Sequence, residues 1–302
     1  MYPLTELNDM RKKLATLSAI FIGLFLLHSF CRWQTDGFRL SHLPLRYGLS
    51  VNPIPKKEIV HAFDQPFYYL GRGAQAYAFV SEDQKYVIKF FKQDRATHPL
   101  EPIGFMLPPP FKSQLAETVA KRREKVRKDF ASYQLAYDFL TKETGLLYLH
   151  LRPTGRWDNE LTLYDKLGVR HKISVDQTAF VLQEKAELVY PTLKQWVSDG
   201  NTDKAKRGLT NLVGLLQRRC ERGIFDKNPD LKTNFGFREE EAIQFDIGRF
   251  SPDPSRQDPR IYRDDLVRIT DRLCHWLDGW APELSVHIRD EIAKIGDRPW
   301  YR

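Results

Sequence analysis

The order of hydrophobic patterns predicts an α+β fold in two parts of different character, set behind an apolar N-terminal helix. Three observations carry that expectation. Leu14 to Phe30 is a 17-residue run without a charged side chain, directly after the basic triplet Arg11, Lys12 and Lys13. Strand-like runs rich in aromatic and β-branched residues then cluster before residue 187, interrupted by one long helical pattern. Beyond that point the three- and four-residue steps of helices dominate, which separates a sheet-rich part from a helical one. At 302 residues and 42% hydrophobic, the chain can bury one large core or two modest ones, and its composition does not mark wholesale disorder.

Residues 1–13 read as a tail and 14–31 as a single-pass anchor, at the short end of the length that crosses a bilayer. A cleaved signal peptide is the other reading, since a charged start and an apolar stretch are both present. The small-residue cleavage site is missing, because "HSFCRW" places His28, Phe30 and Trp33 where small side chains are needed. Phe30 directly before Cys31 equally disfavours a lipid-modified cysteine. Arg32, Arg39 and Arg46 behind the run balance the basic residues before it, so charge asymmetry leaves the orientation open. Three widely spaced cysteines without a CxxC favour a reducing, cytoplasmic setting for the main domain.

Residues 32–60, with Pro44, Pro53 and Pro55, read as an irregular linker. Strands are predicted at 67–71, 76–81 and 85–91, then a proline-rich loop, "HPLEPIGFMLPPPF", at 98–111 and a helix over 113–142. Further strands are predicted at 146–151, 160–165 and 178–186, and helices at 191–199 and 202–222, the second with Leu209, Leu212, Val213, Leu216 and Cys220 on one face. A hairpin from "NFGF" to "AIQFD" and an amphipathic helix carrying Leu266, Ile269, Leu273, Trp276 and Leu277 complete the chain. The parts divide at 61–187 and 188–302.

Much of the net charge of +8 lies in "KRREKVRK", Lys121 to Lys128, where six of eight residues are basic. Val126, Phe130, Tyr133, Tyr137 and Leu140 recur at helical spacing and leave those charges mostly on the opposite, solvated face. No aromatic-rich strand or zinc pattern accompanies them, so nucleic acid is not an expected partner; an auxiliary contact with a membrane surface is compatible with the charge.

Four short strings carry the chemistry. "LGRGAQAYAF" puts Gly71 and Gly73 in a turn, with Ala76 after them; "YVIKFF" delivers Lys89 into an otherwise apolar strand; "GIFDKNPDLKTNFGF" carries Asp226, Asp230 and Asn234; and "AIQFDIGRF" carries Asp246. In this order the strings resemble the protein-kinase-like superfamily, in a minimal, atypical form. The resemblance implies a two-lobed fold with an antiparallel-sheet lobe and a shortened helical lobe. It implies ATP and Mg²⁺ as cofactors: Gly71, Gly73 and Ala76 over the phosphates, Lys89 on them, Gln183 and Lys185 on the nucleotide side, and Asn234 and Asp246 as metal ligands. Asp230 is the expected catalytic base, aimed into the cleft by Pro229, with Asp226 its competitor.

The strings also depart from the family. There is no H-R-D, and Asp230 stands one residue too close to Asn234. The helix after the lysine strand offers Gln134 on its inward stretch, with Glu117 and Glu124 earlier, so the partner of Lys89 is open among these three. The chain after Asp246 has no long activation segment, and "APE" at Ala281–Glu283 reads as chance. An ATP-dependent phosphotransferase acting on a protein or small-molecule acceptor, a catalytically silent binding or scaffold module, and an anchored domain of unrelated fold are the readings these residues allow.

Overall fold

A computed structural model describes residues 4–43, 57–155 and 160–295; Arg46, Pro44, Pro53 and Pro55 of the expected linker lie outside them. Helix α1 (Leu4–Gln34) contains one stretch, Lys13–Gln34, long and apolar enough to cross a membrane, with a mean hydropathy of 2.0. Its 22 residues span about 33 Å at 1.5 Å per residue, enough for a bilayer core. No other described part of the chain covers its apolar side chains.

After a one-turn α2 (Lys57–His61), strands β1 (Phe67–Arg72), β2 (Ala76–Ser81) and β3 (Tyr86–Phe91) form an antiparallel meander. Two short 3-10 turns (Gln93–Ala96 and Glu101–Met106) shape the proline-rich segment. Helix α3 (Pro109–Phe139) starts four residues earlier than expected, because prolines at the first helical positions lose no needed N–H. It breaks at Leu140, and the one-turn α4 (Thr141–Thr144) closes on Gly145 at φ +58°.

Strands β4 (Leu146–His150), β5 (Glu160–Tyr164), β6 (Arg170–Ser174) and β7 (Phe180–Glu184) complete a seven-stranded sheet in the order β4-β7-β3-β2-β1-β5-β6, curled and parallel only where β1 meets β5. Strand β6, unpredicted, lies at the sheet's edge and exposes Arg170, Lys172 and Ser174, with only Ile173 apolar. The chain continues through β8 (Glu187–Leu188), α5 (Val189–Ser198), α6 (Thr202–Glu221), β9 (Ile224–Asp226), the hairpin β10 (Phe235–Arg238) and β11 (Glu241–Gln244), β12 (Phe250–Pro252), α7 (Pro259–Asp278) and α8 (Pro282–Ala293). The "APE" string is the start of α8, with Ala281 at its N-cap and Pro282 in its first turn.

Through β2, β3, β7 and β4 both faces of the sheet are largely buried, which is why those strands read as nearly continuous apolar runs. On one face Phe79, Ile88, Phe90 and Phe180 pack under Phe38, Leu43, Ile59 and Phe63. On the other, Phe91, Leu149 and Val181 meet Phe130 and Tyr133 of α3. A third core joins α5 to α8 and the β10–β11 hairpin.

The segment expected as an irregular linker is thus partly structure. Helix α1 runs through Gln34, Phe38 packs edge-on against Tyr77 and Phe79, and Leu43 is buried. Tyr69 donates a hydrogen bond to Asp36 at 3.0 Å, and Tyr77 donates to the Gly37 carbonyl at 2.6 Å. Removing residues 1–33 should therefore leave the thermal or urea unfolding midpoint near that of the full chain in detergent. Removing 1–43 should cost about 3–5 kcal/mol for Phe38, with a further loss for Leu43.

Candidate functional site

The two-residue period of β3 settles where Lys89 goes. Ile88 and Phe90 face the Phe38 side of the sheet, so Lys89 emerges on the other face with Val87 and Phe91. There it meets a cleft of about 640 Å³ between the β1–β2 hairpin above, the β7–β8 connection behind and the segment around Asp246 below. Gly71, Gly73 and Ala76 line its roof, Gln183 and Lys185 its rear, and Lys89 and Asp246 its floor. These expected residues converge from segments far apart in the chain.

Among the described residues Lys89 has no glutamate partner. Its Nζ donates to the Phe245 carbonyl at 2.6 Å and sits 5.3 Å from the centre of the Phe245 ring. Burial lowers its pKa to about 8, and the negative charge of Asp246 opposes that shift only in part. The three side chains expected as its partner lie elsewhere. Gln134 donates to Asp138 at 2.9 Å, Glu117 pairs with Lys121, and Glu124 pairs with Arg127 and Lys128, all on the solvent side of α3. The helix turns Tyr133 toward the cleft instead, edge-on to Phe91.

One turn from Tyr133, Asp129 does a different task. It accepts from Gln75 Nε2 of the β1–β2 hairpin at 2.8 Å and pairs with Arg95 at 2.6 Å. Burial still raises its pKa, although Arg95 opposes this. Gln75 Nε2 also donates to the Gly248 carbonyl at 3.1 Å, and Ser132 of α3 donates to Ile247 and accepts from the Phe250 amide. The hairpin, α3 and the Asp246–Phe250 segment are therefore one hydrogen-bonded unit. Sequence reasoning missed it; the only available signal was Gln75, a lone amide between two alanines.

The loop between β9 and β10 places the remaining candidates. Asp226 is buried at the end of β9; it accepts from the Asn228 amide at 2.8 Å and from Gln244 Nε2 at 2.5 Å, and lies 3.6 Å from the equally buried Arg219. Burial raises its pKa, with Arg219 and these hydrogen bonds opposing and Asp246 adding to the rise. Asp230, expected to aim into the cleft, instead closes its own turn, accepting from the Lys232 amide at 3.0 Å and from Thr233 Oγ1 at 3.1 Å. A short polar side chain after proline satisfies nearby backbone donors more readily than it spans open space. The loop residues that line the cleft are Asn228 and Thr233.

Asn234 and Asp246 meet at the open end of the β10–β11 hairpin, where the Asn234 carbonyl accepts from Phe245 at 3.0 Å and from Asp246 at 3.4 Å. Asn234 Nδ2 donates to the Asn228 carbonyl at 2.8 Å, and its amide oxygen accepts from Thr233 at 2.9 Å. Among the described residues no group of three or more His, Cys, Asp or Glu side chains forms a metal site from protein ligands alone. Gly236 in β10 is required by packing, since a Cβ there would run into the Glu187 carbonyl behind the cleft.

No protein-family model matches the chain, and no curated protein matches it in sequence. Among solved structures it is similar to the bifunctional kinase-methyltransferase WbdD, at 17% identity and a TM-score of 0.36, over 78% of this chain and 48% of that one. A co-crystal structure of WbdD with the kinase inhibitor LY294002 aligns at 16% identity and the same TM-score, over 80% of this chain and 48% of that one. The complex of Rv3197 with erythromycin from Mycobacterium tuberculosis aligns at 13% identity and a TM-score of 0.32, covering 74% of this chain and 61% of that one. The chain spans about half the length of the WbdD structures.

A Cβ at Gly248 would overlap the Gln75 amide. Gly248→Ala should therefore expel Gln75 and release the hairpin from α3, read as faster amide hydrogen exchange across 71–76 with the Arg95–Asp129 pair kept. Unchanged exchange there would show that Gln75 does not hold the hairpin.

Proposed function

We propose that the chain is a membrane-tethered, protein-kinase-like module that binds ATP with Mg²⁺. The observation that carries this reading is the convergence of the Gly71–Gly73 hairpin, Lys89 and Asp246 on one cleft. A half-buried ammonium with a pKa lowered to about 8 is a group that an anion would stabilise. Gly71 has open space where a Cβ would stand, so the protein's own packing does not demand glycine there; close approach of a phosphate to the backbone would. Asp246, which lines the cleft, is the oxygen donor that would hold Mg²⁺, which neutralises phosphate charge when bound; the amide oxygen of Asn234, outside the lining, would join it only by giving up the hydrogen bond from Thr233. Helix α1 supplies the tether.

Binding without transfer is the function this geometry favours. The loop residues at the cleft are Asn228 and Thr233, whose amide and hydroxyl do not serve as a general base, while Asp230 is committed to its own turn. Phosphoryl transfer to a protein or small-molecule acceptor is the second reading, and the raised pKa of Asp226 beside Asp246 is what favours it.

Titration of the full chain with ATP should show Mg²⁺-dependent binding, weakened by Lys89→Met and made largely insensitive to Mg²⁺ by Asp246→Asn. An anion raises the pKa of Lys89 from its free value of about 8, so binding takes up a proton above that pH. Affinity should be nearly level below pH 8 and fall by up to about tenfold per pH unit above it. Lys89→Met should abolish that slope; absence of binding by wild type with either ATP or ADP would overturn the reading.

Labelled ATP distinguishes binding from transfer. The expected result is occupancy without product. Labelled product from the wild type would establish transfer; Asp226 would be its base only if Asp226→Asn lowered turnover about 10²- to 10⁴-fold with the unfolding midpoint and ATP affinity kept, since stranding the buried Arg219 would lower turnover as well.

A further inference from the structure

The segment between β3 and α3 exposes large apolar side chains that the cleft does not use. Phe105 is 75% exposed, Met106 71% and Phe111 59%, with Leu100 and Ile103 also exposed. The segment is nevertheless held in shape. Arg123 pairs with Glu101, Arg122 donates to the Thr97 carbonyl at 2.6 Å, Gly104 is buried against Leu115, and the following prolines start α3. A fixed apolar knuckle of this kind marks a contact surface.

Its position identifies the occupant. Asp94, a few residues before the knuckle, lies 3.7 Å from His42, in the segment that leaves α1. Arg32 and Arg39 at that exit and Lys112, next to Phe111 in the chain, are exposed. We propose that residues 98–111 dock on the surface of the same bilayer that α1 crosses, with Ile103, Phe105, Met106 and Phe111 at the boundary between headgroups and acyl chains. This rests on reading α1 as a tether.

The chemistry fits on both counts. A bilayer interface takes up apolar side chains to about 5–10 Å depth and attracts flanking Lys and Arg when its lipids are anionic. The tether makes the contact intramolecular, so even a weak interface is occupied at the high effective concentration it sets. Docking would fix which way the domain and its cleft face.

The test uses the full chain in nanodiscs of mixed neutral and anionic lipid, with one fluorescent label at a time in a Cys31→Ser background; Cys220 and Cys274 are buried. Labels go at Ile103→Cys, at Phe21→Cys within α1, and at Leu167→Cys in the β5–β6 turn. The label at 103 should be quenched by lipids brominated near the headgroup end of the chains, and that at 167 only by aqueous iodide. Phe105→Asp with Met106→Asp should return the label at 103 to water while the label at 21 stays lipid-quenched. A label at 103 as iodide-accessible as that at 167, with the label at 21 still in lipid, would overturn docking and leave the tether standing. A label at 21 that lipids do not quench would overturn the tether, and docking with it.

Discussion

The geometry of the cleft floor depends on one buried charge pair. Arg219 on α6 and Asp226 at the end of β9 are both almost fully excluded from water, and Gln244 on β11 joins them, accepting from Arg219 at 2.7 Å and donating to Asp226 at 2.5 Å. A buried pair is seldom a net gain over apolar packing, but losing one partner leaves a stranded charge, so the three elements are bound to one arrangement. From that arrangement follow the Asn228 amide, held by Asp226, and the β11 strand that leads directly into Phe245 and Asp246. The pair sets positions; it does not face the cleft.

Lys89 is handled in the opposite way. Its charge is desolvated against a carbonyl oxygen and an aromatic ring, with Asp246 as its charged neighbour. The helix that could have offered a carboxylate spends its acidic inward residue, Asp129, on Arg95 and on holding Gln75. The outcome is a cleft whose roof is fastened and whose lysine is left short of negative charge. Such a site is stabilised by whatever anion fills it, and fastening the roof lowers the ordering cost of that event.

What was legible in the sequence divides along a physical line. Strands and helices with a strong period were readable, because burial on a two- or 3.6-residue repeat is a local property; the face of α6 with Leu209, Leu212 and Leu216 is an instance. Gly71, Lys89 and Asp246, which do meet at one cleft, stood out for a related reason, since each is a local departure from its pattern. What escaped were contacts between distant segments. Nothing local marks Asp129 or Ser132 as the residues that hold the hairpin and the Asp246–Phe250 segment, or shows that the Asp230 carboxylate accepts within its own turn. Three-residue β9 and β12 carry too little periodicity to announce themselves, and Phe38 hid in a stretch that composition marks as linker.

That last stretch links the two ends of the molecule's organisation. Arg72, in the cleft roof, donates to the Asp36 carbonyl at 2.9 Å, and the neighbouring Tyr77 donates to that of Gly37. Lys92 donates to the Gly73 carbonyl at 2.7 Å while lying 4.4 Å from the centre of the Tyr77 ring. The residues that follow the apolar helix are thus the residues that buttress the glycine-containing hairpin. A change in how the helix end sits reaches the roof through two hydrogen bonds rather than through a flexible linker. The apolar helix and the cleft share a structural element, and the hairpin over the cleft is where a force on one would be felt by the other.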